Sequence, residues 1–180
     1  MQKIKRLTLQ MVENEFPAMD IAEQDLCIGK IKFTYNGSGW TKDVSDGNYT
    51  TAHIVVQGSS GTFSMGYQEF MYIDSGGYFD VNSVRPLFEF LASKSNNEWS
   101  LSILNNGTAR LHSDHNEKTV VQFITSNTKT VIHSHTNNYE GVPSPEDKNA
   151  VIGNAGTTFM LYYNKKYRPY DQYGFYGDWY

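Results

Sequence analysis

The sequence predicts an α+β domain, and three observations carry that prediction. Fifteen glycines and thirteen tyrosines in 180 residues favour strands and turns over a helical bundle. From residue 82 onward the apolar periodicity runs helix, strand, strand, strand, short helix, strand. No internal repeat or low-complexity segment interrupts that order, so the sheet is largely local with helices packed against it.

In chain order, Ile4, Leu7, Met11, Val12 and Phe16 follow helical spacing until Pro17 ends the run. Residues 27–35 alternate as a strand through Ile31, Phe33 and Tyr35, and Asn36-Gly-Ser-Gly turns the chain. Residues 40–79 are dense in Gly, Ser, Asp and Thr and read as irregular loops with small strands. Short apolar runs stand at 53–56 and 70–73. Next, Asn82 or Ser83 can cap a helix whose apolar face is Val84, Leu87, Phe88 and Leu91, with Pro86 in its first turn. Ser95-Asn-Asn closes it. Glu98 opens a strand over residues 99–104 that turns at Asn105-Asn-Gly107. Further strands are expected at 119–124, 130–135 and 157–163, and a helix starting at Ser144 must stop by Gly153. The aromatic, Gly-rich tail from Tyr167 to Tyr180 is expected to pack along the sheet.

Composition excludes several functions. A net charge of −4, with no Lys/Arg cluster, leaves no electrostatic footprint for nucleic acid. No window approaches the ~20 apolar residues of a membrane span. The basic start, Met1-Gln-Lys-Ile-Lys-Arg, runs into Glu13 and Glu15 without the apolar stretch of a signal peptide. Cys27 is the only cysteine, so an intramolecular disulfide is excluded and a metal site must rely on His, Asp, Glu or water. Flanked by Leu26 and Ile28, it reads as a small buried hydrophobe.

The chemistry concentrates in two short segments. In Val131-Ile-His133-Ser-His135 two histidines at i and i+2 on a strand share a face, with Cβ atoms roughly 6.5–7 Å apart. Both imidazoles can then reach one ion through bonds of about 2.0–2.1 Å. In Ser144-Pro145-Glu146-Asp147 a serine cap, a proline and two acids begin a helix. His133, His135 and Asp147 together leave a fourth zinc position open, as a catalytic site requires. Glu98 is the candidate base, with Glu89, Glu140 and Glu146 as competing carboxylates. The second cluster, His112-Ser-Asp114-His115, reads as an exposed hairpin loop, and His53 as packed.

Glu98 at a strand start after a helix, then His133-x-His135, then Ser144-x-x-Asp147, resembles the JAMM motif of the JAB/MPN metallohydrolases. The resemblance spans residues 82–163. It implies a cytidine-deaminase-like mixed sheet flanked by helices, with a core at 81–180 and an accessory segment of helix, short strands and loops at 1–80. It implies Zn²⁺ on His133, His135 and Asp147, Glu98 as general acid/base, and Ser144 supporting the oxyanion. The reaction implied is attack of zinc-activated water on an amide carbonyl of a peptide or protein substrate. Phe88-Glu-Phe-Leu-Ala92, Asn97-Glu-Trp-Ser100 and the 167–177 tail look most like the JAB-like toxin domains of RHS-type polymorphic toxins. That narrower resemblance implies a secreted effector acting in a target-cell cytoplasm and a cognate immunity protein; without it, a cytoplasmic enzyme is expected. Two departures stand out: Thr136 replaces the family's proline, and eight residues, one more than usual, separate His135 from Ser144. They keep open a non-catalytic MPN-like binding module, or a hydrolase acting on something other than an amide.

Overall fold

The computed structural model describes residues 29–43, 49–136 and 141–180. The helix expected near the N-terminus, Cys27, Asn137, Asn138 and Glu140 lie outside the described residues. The described chain is α+β, with two sheets and a few helices.

The first sheet has the order β2-β1-β3-β4, built from β1 (Gly29–Tyr35), β2 (Trp40–Lys42), β3 (Tyr49–Val56) and β4 (Phe63–Gly66). Helix α1 (Tyr67–Asp74) follows it. The 40–79 stretch is thus more regular than its composition suggests. Strand β3 buries Ala52, Ile54 and Val56 on alternate positions, but Val55 is apolar on the opposite face and Thr50 is polar in the buried register, which mutes the period-two signal. Helix α1 buries only Phe70 and Ile73, too few for a recognisable helical stripe.

The second sheet has seven strands in the order β11-β10-β9-β8-β6-β7-β5. After β5 (Phe79–Asp80), helix α2 (Val81–Lys94) is capped by the Asp80 side chain, which accepts from Asn82 N at 2.9 Å. The cap is therefore Asp80 rather than Asn82 or Ser83, and Pro86 falls in the second turn. Its missing N–H would have bonded the carbonyl of Asn82, an exposed residue, so water can serve that carbonyl. Val84, Leu87, Phe88 and Leu91 are fully buried, each contributing roughly 1.5–3 kcal/mol.

Strand β6 (Ser100–Leu104) turns at Asn105-Asn-Gly107, with Gly107 at φ +84°, directly into β7 (Thr108–His112). That hairpin corrects the expectation of a strand at 119–124. Strands β7 and β8 (Thr128–Ser134) occupy both edges of β6, so residues 119–124 join no ladder. His112 consequently ends a strand instead of sitting in a hairpin loop. Strand β9 (Thr158–Tyr163) lies parallel to β8, and the connection between them carries helix α3 (Pro145–Val151). The tail does more than pack on the sheet: β10 (Lys166–Asp171) and β11 (Gly174–Phe175) extend it as antiparallel strands.

The core has two parts. One joins the first sheet, α2 and one face of the second sheet through Tyr35, Ile54, Leu87, Trp99, Leu101 and Ile132. The other packs Val131, Phe159, Leu161 and Tyr170 against Ala150 and Val151 of α3. The central strands are thus covered on both faces.

Candidate metal centre and cleft

Parallel pairing of β8 with β9 requires a crossover, and that crossover places the start of α3 over the C-terminal end of β8. His133 lies in β8, and His135 follows one residue after the strand ends. Ser134, between them, faces the other way. Its Oγ accepts from Trp99 N at 2.9 Å, and its N–H donates to Trp99 O at 2.9 Å. That double link fixes the chain entering β6 against the chain leaving β8, and so brings Glu98 alongside His135. A Ser134→Ala change leaves the buried Trp99 N–H unpartnered and is expected to cost about 1–3 kcal/mol in urea unfolding.

Glu98 is held at its backbone: its N–H donates to Asn116 O at 2.8 Å, and its carbonyl accepts from Ser113 Oγ at 2.8 Å. The 112–116 segment thereby gains a structural role. His112 Nε2 meets Asp114 Oδ1 at 2.8 Å, Asp114 Oδ2 accepts from Val121 N at 2.6 Å, and His115 Nδ1 meets Tyr35 OH at 2.7 Å.

The start of α3 is a complete capping box. Ser144 Oγ accepts from Asp147 N at 3.1 Å, and Asp147 Oδ2 accepts from Ser144 N at 2.8 Å. The same carboxylate turns toward the histidines. His133 Nε2 lies 3.2 Å from Asp147 Oδ1, His135 Nε2 lies 3.3 Å from Asp147 Oδ2, and the two Nε2 atoms are 3.2 Å apart. Glu98 Oε1 is 3.9 Å from His135 Nε2. His133, His135 and Asp147 form a group that could hold a metal ion.

Electrostatics prepare these groups differently. Burial pushes the His133 imidazole down from its ordinary value, toward the neutral form that a ligating histidine takes. Burial opposes ionisation of Asp147, but hydrogen bonds from His133, His135 and the Ser144 backbone outweigh it and hold the carboxyl well below the usual range. Burial, reinforced by Asp147 and partly offset by His135, pushes the Glu98 carboxyl up from 4.5 to about 7. Between those pH values the metal-free folded chain retains a Glu98 proton that the unfolded chain has lost. Stability from this group therefore falls as pH rises through that window, by about 3 kcal/mol in all. His133, with its depressed pKa, acts in the opposite sense. The quantity to measure is thus the difference in unfolding free energy between metal-free wild type and Glu98→Gln from pH 4.5 to 7. It should shrink with rising pH, and a flat difference would contradict the burial of this carboxyl.

A cleft of about 410 Å³ opens onto the group, lined by Glu98, Lys118, Val120, His135, Ser144 and Asp147 among others. Of the competing carboxylates, Glu146 also lines the cleft, while Glu89 accepts from Tyr167 OH at 2.5 Å. Thr136 is buried, and its Oγ1 has no hydrogen-bond partner among the described residues. Sequence reasoning missed Gln122 and Tyr170, which approach His133 Nδ1 at 3.5 and 3.3 Å. Tyr170 arrives on β10, two strands from β8, and Gln122 on the unpaired stretch 119–124, so no local signal marks either of them. Compared with known proteins, the chain matches no protein-family model, no curated protein and no solved structure. Among the described residues, no helix is long and apolar enough to cross a membrane.

Proposed function

We propose that this chain is a zinc-dependent peptidase or isopeptidase of JAMM type on a JAB/MPN-like fold. The observation that carries the reading is the convergence of His133, His135 and Asp147: the two Nε2 atoms lie 3.2 Å apart and face Asp147 Oδ1 and Oδ2 at 3.2 and 3.3 Å, beside the Glu98 carboxylate. Tetrahedral zinc with bonds of about 2.0–2.1 Å separates neighbouring donors by about 3.3–3.4 Å, close to the 3.2 Å between the two imidazole nitrogens, and the Asp147 carboxylate offers an oxygen to each of them. Zinc held there would polarise a substrate carbonyl and lower the pKa of a water toward about 7.

The chain's own groups supply the rest. Glu98 accepts a proton from the attacking water and returns it to the leaving amine, a role its place beside His135 on the cleft wall allows. Ser144 Oγ uses a lone pair to cap α3, which leaves its proton to donate to the developing oxyanion, a contact worth about 3 kcal/mol at comparable sites. The binding-module alternative expects Glu98 remote from the ligands, and the 3.9 Å approach to His135 speaks against it. On the toxin-domain resemblance, the natural partner is an immunity protein that covers this cleft, and the enzyme acts in the cytoplasm of a target cell.

Metal analysis of purified wild type beside His135→Ala tests the reading. Wild type is expected to carry close to one zinc per chain and the variant to lose it; equal occupancy in both would sink the assignment.

A further inference from the structure

The side of His133 turned away from Asp147 is closed by two groups that the proposed chemistry leaves unused. Nδ1 lies 3.3 Å from the Tyr170 hydroxyl and 3.5 Å from Gln122 Nε2. The Gln122 amide therefore lies beside the phenol, both of them against the same ring nitrogen. His133 and Tyr170 are each only 1 % exposed, and Gln122 Oε1 is a buried acceptor with no partner among the described residues. The phenol ring stands edge-on to the imidazole at 89° and packs on Phe159, so the sheet sets its position independently of His133.

A neutral imidazole carries a single proton. With Nε2 facing Asp147 Oδ1 at 3.2 Å, that proton rests on Nε2 in the metal-free chain, and Nδ1 accepts from Tyr170 OH. A cation bound at Nε2 takes that nitrogen's lone pair and requires the proton on Nδ1 instead. Tyr170 must then accept from Nδ1–H, and its own proton needs a new acceptor. A half-turn of the Gln122 amide presents the unpartnered Oε1 to it.

We propose that Tyr170 and Gln122 are positioning residues for the metal centre, a relay that reverses direction to lock His133 in its ligating tautomer. The inference rests on the reading of His133 as a metal ligand. Outer hydrogen bonds of this kind typically support metal affinity by about 10–100-fold. Chelator-competition titrations with zinc are expected to show a loss of that size in Tyr170→Phe and Gln122→Leu. Gln122→Glu, which keeps an acceptor for the phenol, is expected to stay near wild type. Thermal unfolding of each metal-free variant controls for folding. Histidine ¹H–¹⁵N spectra of wild type need no variant: the His133 proton should move from Nε2 to Nδ1 on zinc loading. Full affinity in both Tyr170→Phe and Gln122→Leu, or a proton on Nδ1 before zinc is added, overturns the relay. If those two retain zinc while His133→Ala loses it, only the relay fails. Equal zinc binding by wild type and His133→Ala overturns the relay together with the metal reading beneath it.

Discussion

Replacing Glu98 with glutamine is expected to lower turnover of a susceptible peptide or isopeptide by about 10²–10⁴-fold, the usual contribution of a positioned proton-transfer group. Zinc content should stay at the wild-type level. Glutamine keeps the size of the side chain and the backbone clamp on Asn116 and Ser113, because those bonds involve only main-chain atoms of residue 98. What it removes is the proton-accepting oxygen 3.9 Å from His135 Nε2. Hydrolysis rates and metal analysis on one preparation separate the outcomes. Unchanged turnover would move the base elsewhere, with Glu146, on the wall of the same cleft, as the first alternative. Loss of zinc alongside turnover would make Glu98 a ligand.

The segments that reported their structure in the sequence are those whose side chains answer to one neighbour. Helix α2 shows its stripe because one face of it alone meets the core, and α3 is readable from its cap, which lies wholly within four residues. His133 and His135 share a face through the strand period, and Ser144 and Asp147 meet through the turn of a helix; both are local geometry. What joins the two halves is non-local. Glu98 reaches His135 because Trp99 and Ser134 pair across 35 residues, and Tyr170 reaches His133 across 37. No periodicity encodes those distances. The same limit explains the misplaced strand at 119–124. Its apolar content matches a strand, but β6 had already spent both edges on β7 and β8, and strand pairing is a competition that propensity cannot score.

Asp147 is where ligation and folding share one side chain, so Asp147→Ala is expected to abolish stoichiometric zinc binding and also weaken the metal-free fold. Its carboxylate faces His133 Nε2 through Oδ1 and His135 Nε2 through Oδ2, and Oδ2 also accepts from Ser144 N at 2.8 Å. Losing a hydrogen bond to a charged acceptor costs about 1.5–3 kcal/mol, so urea unfolding of the metal-free variant should show a deficit of that order. The sign of its pH dependence follows from the depressed carboxyl. Its contribution is complete above the unfolded value near 3.8 and disappears as acid protonates the folded group, so wild type and Asp147→Ala should converge only well below pH 4. Asp147→Asn separates the two roles. Its amide oxygen can still accept from Ser144 N and keep the helix start, but a neutral amide is a far weaker zinc ligand than a carboxylate. Zinc loss in both variants, with the larger folding deficit in the alanine form, is the expected pattern. Wild-type zinc affinity in Asp147→Ala would mean that the two histidines hold the metal with some other donor, and the crossover helix would then be structural alone.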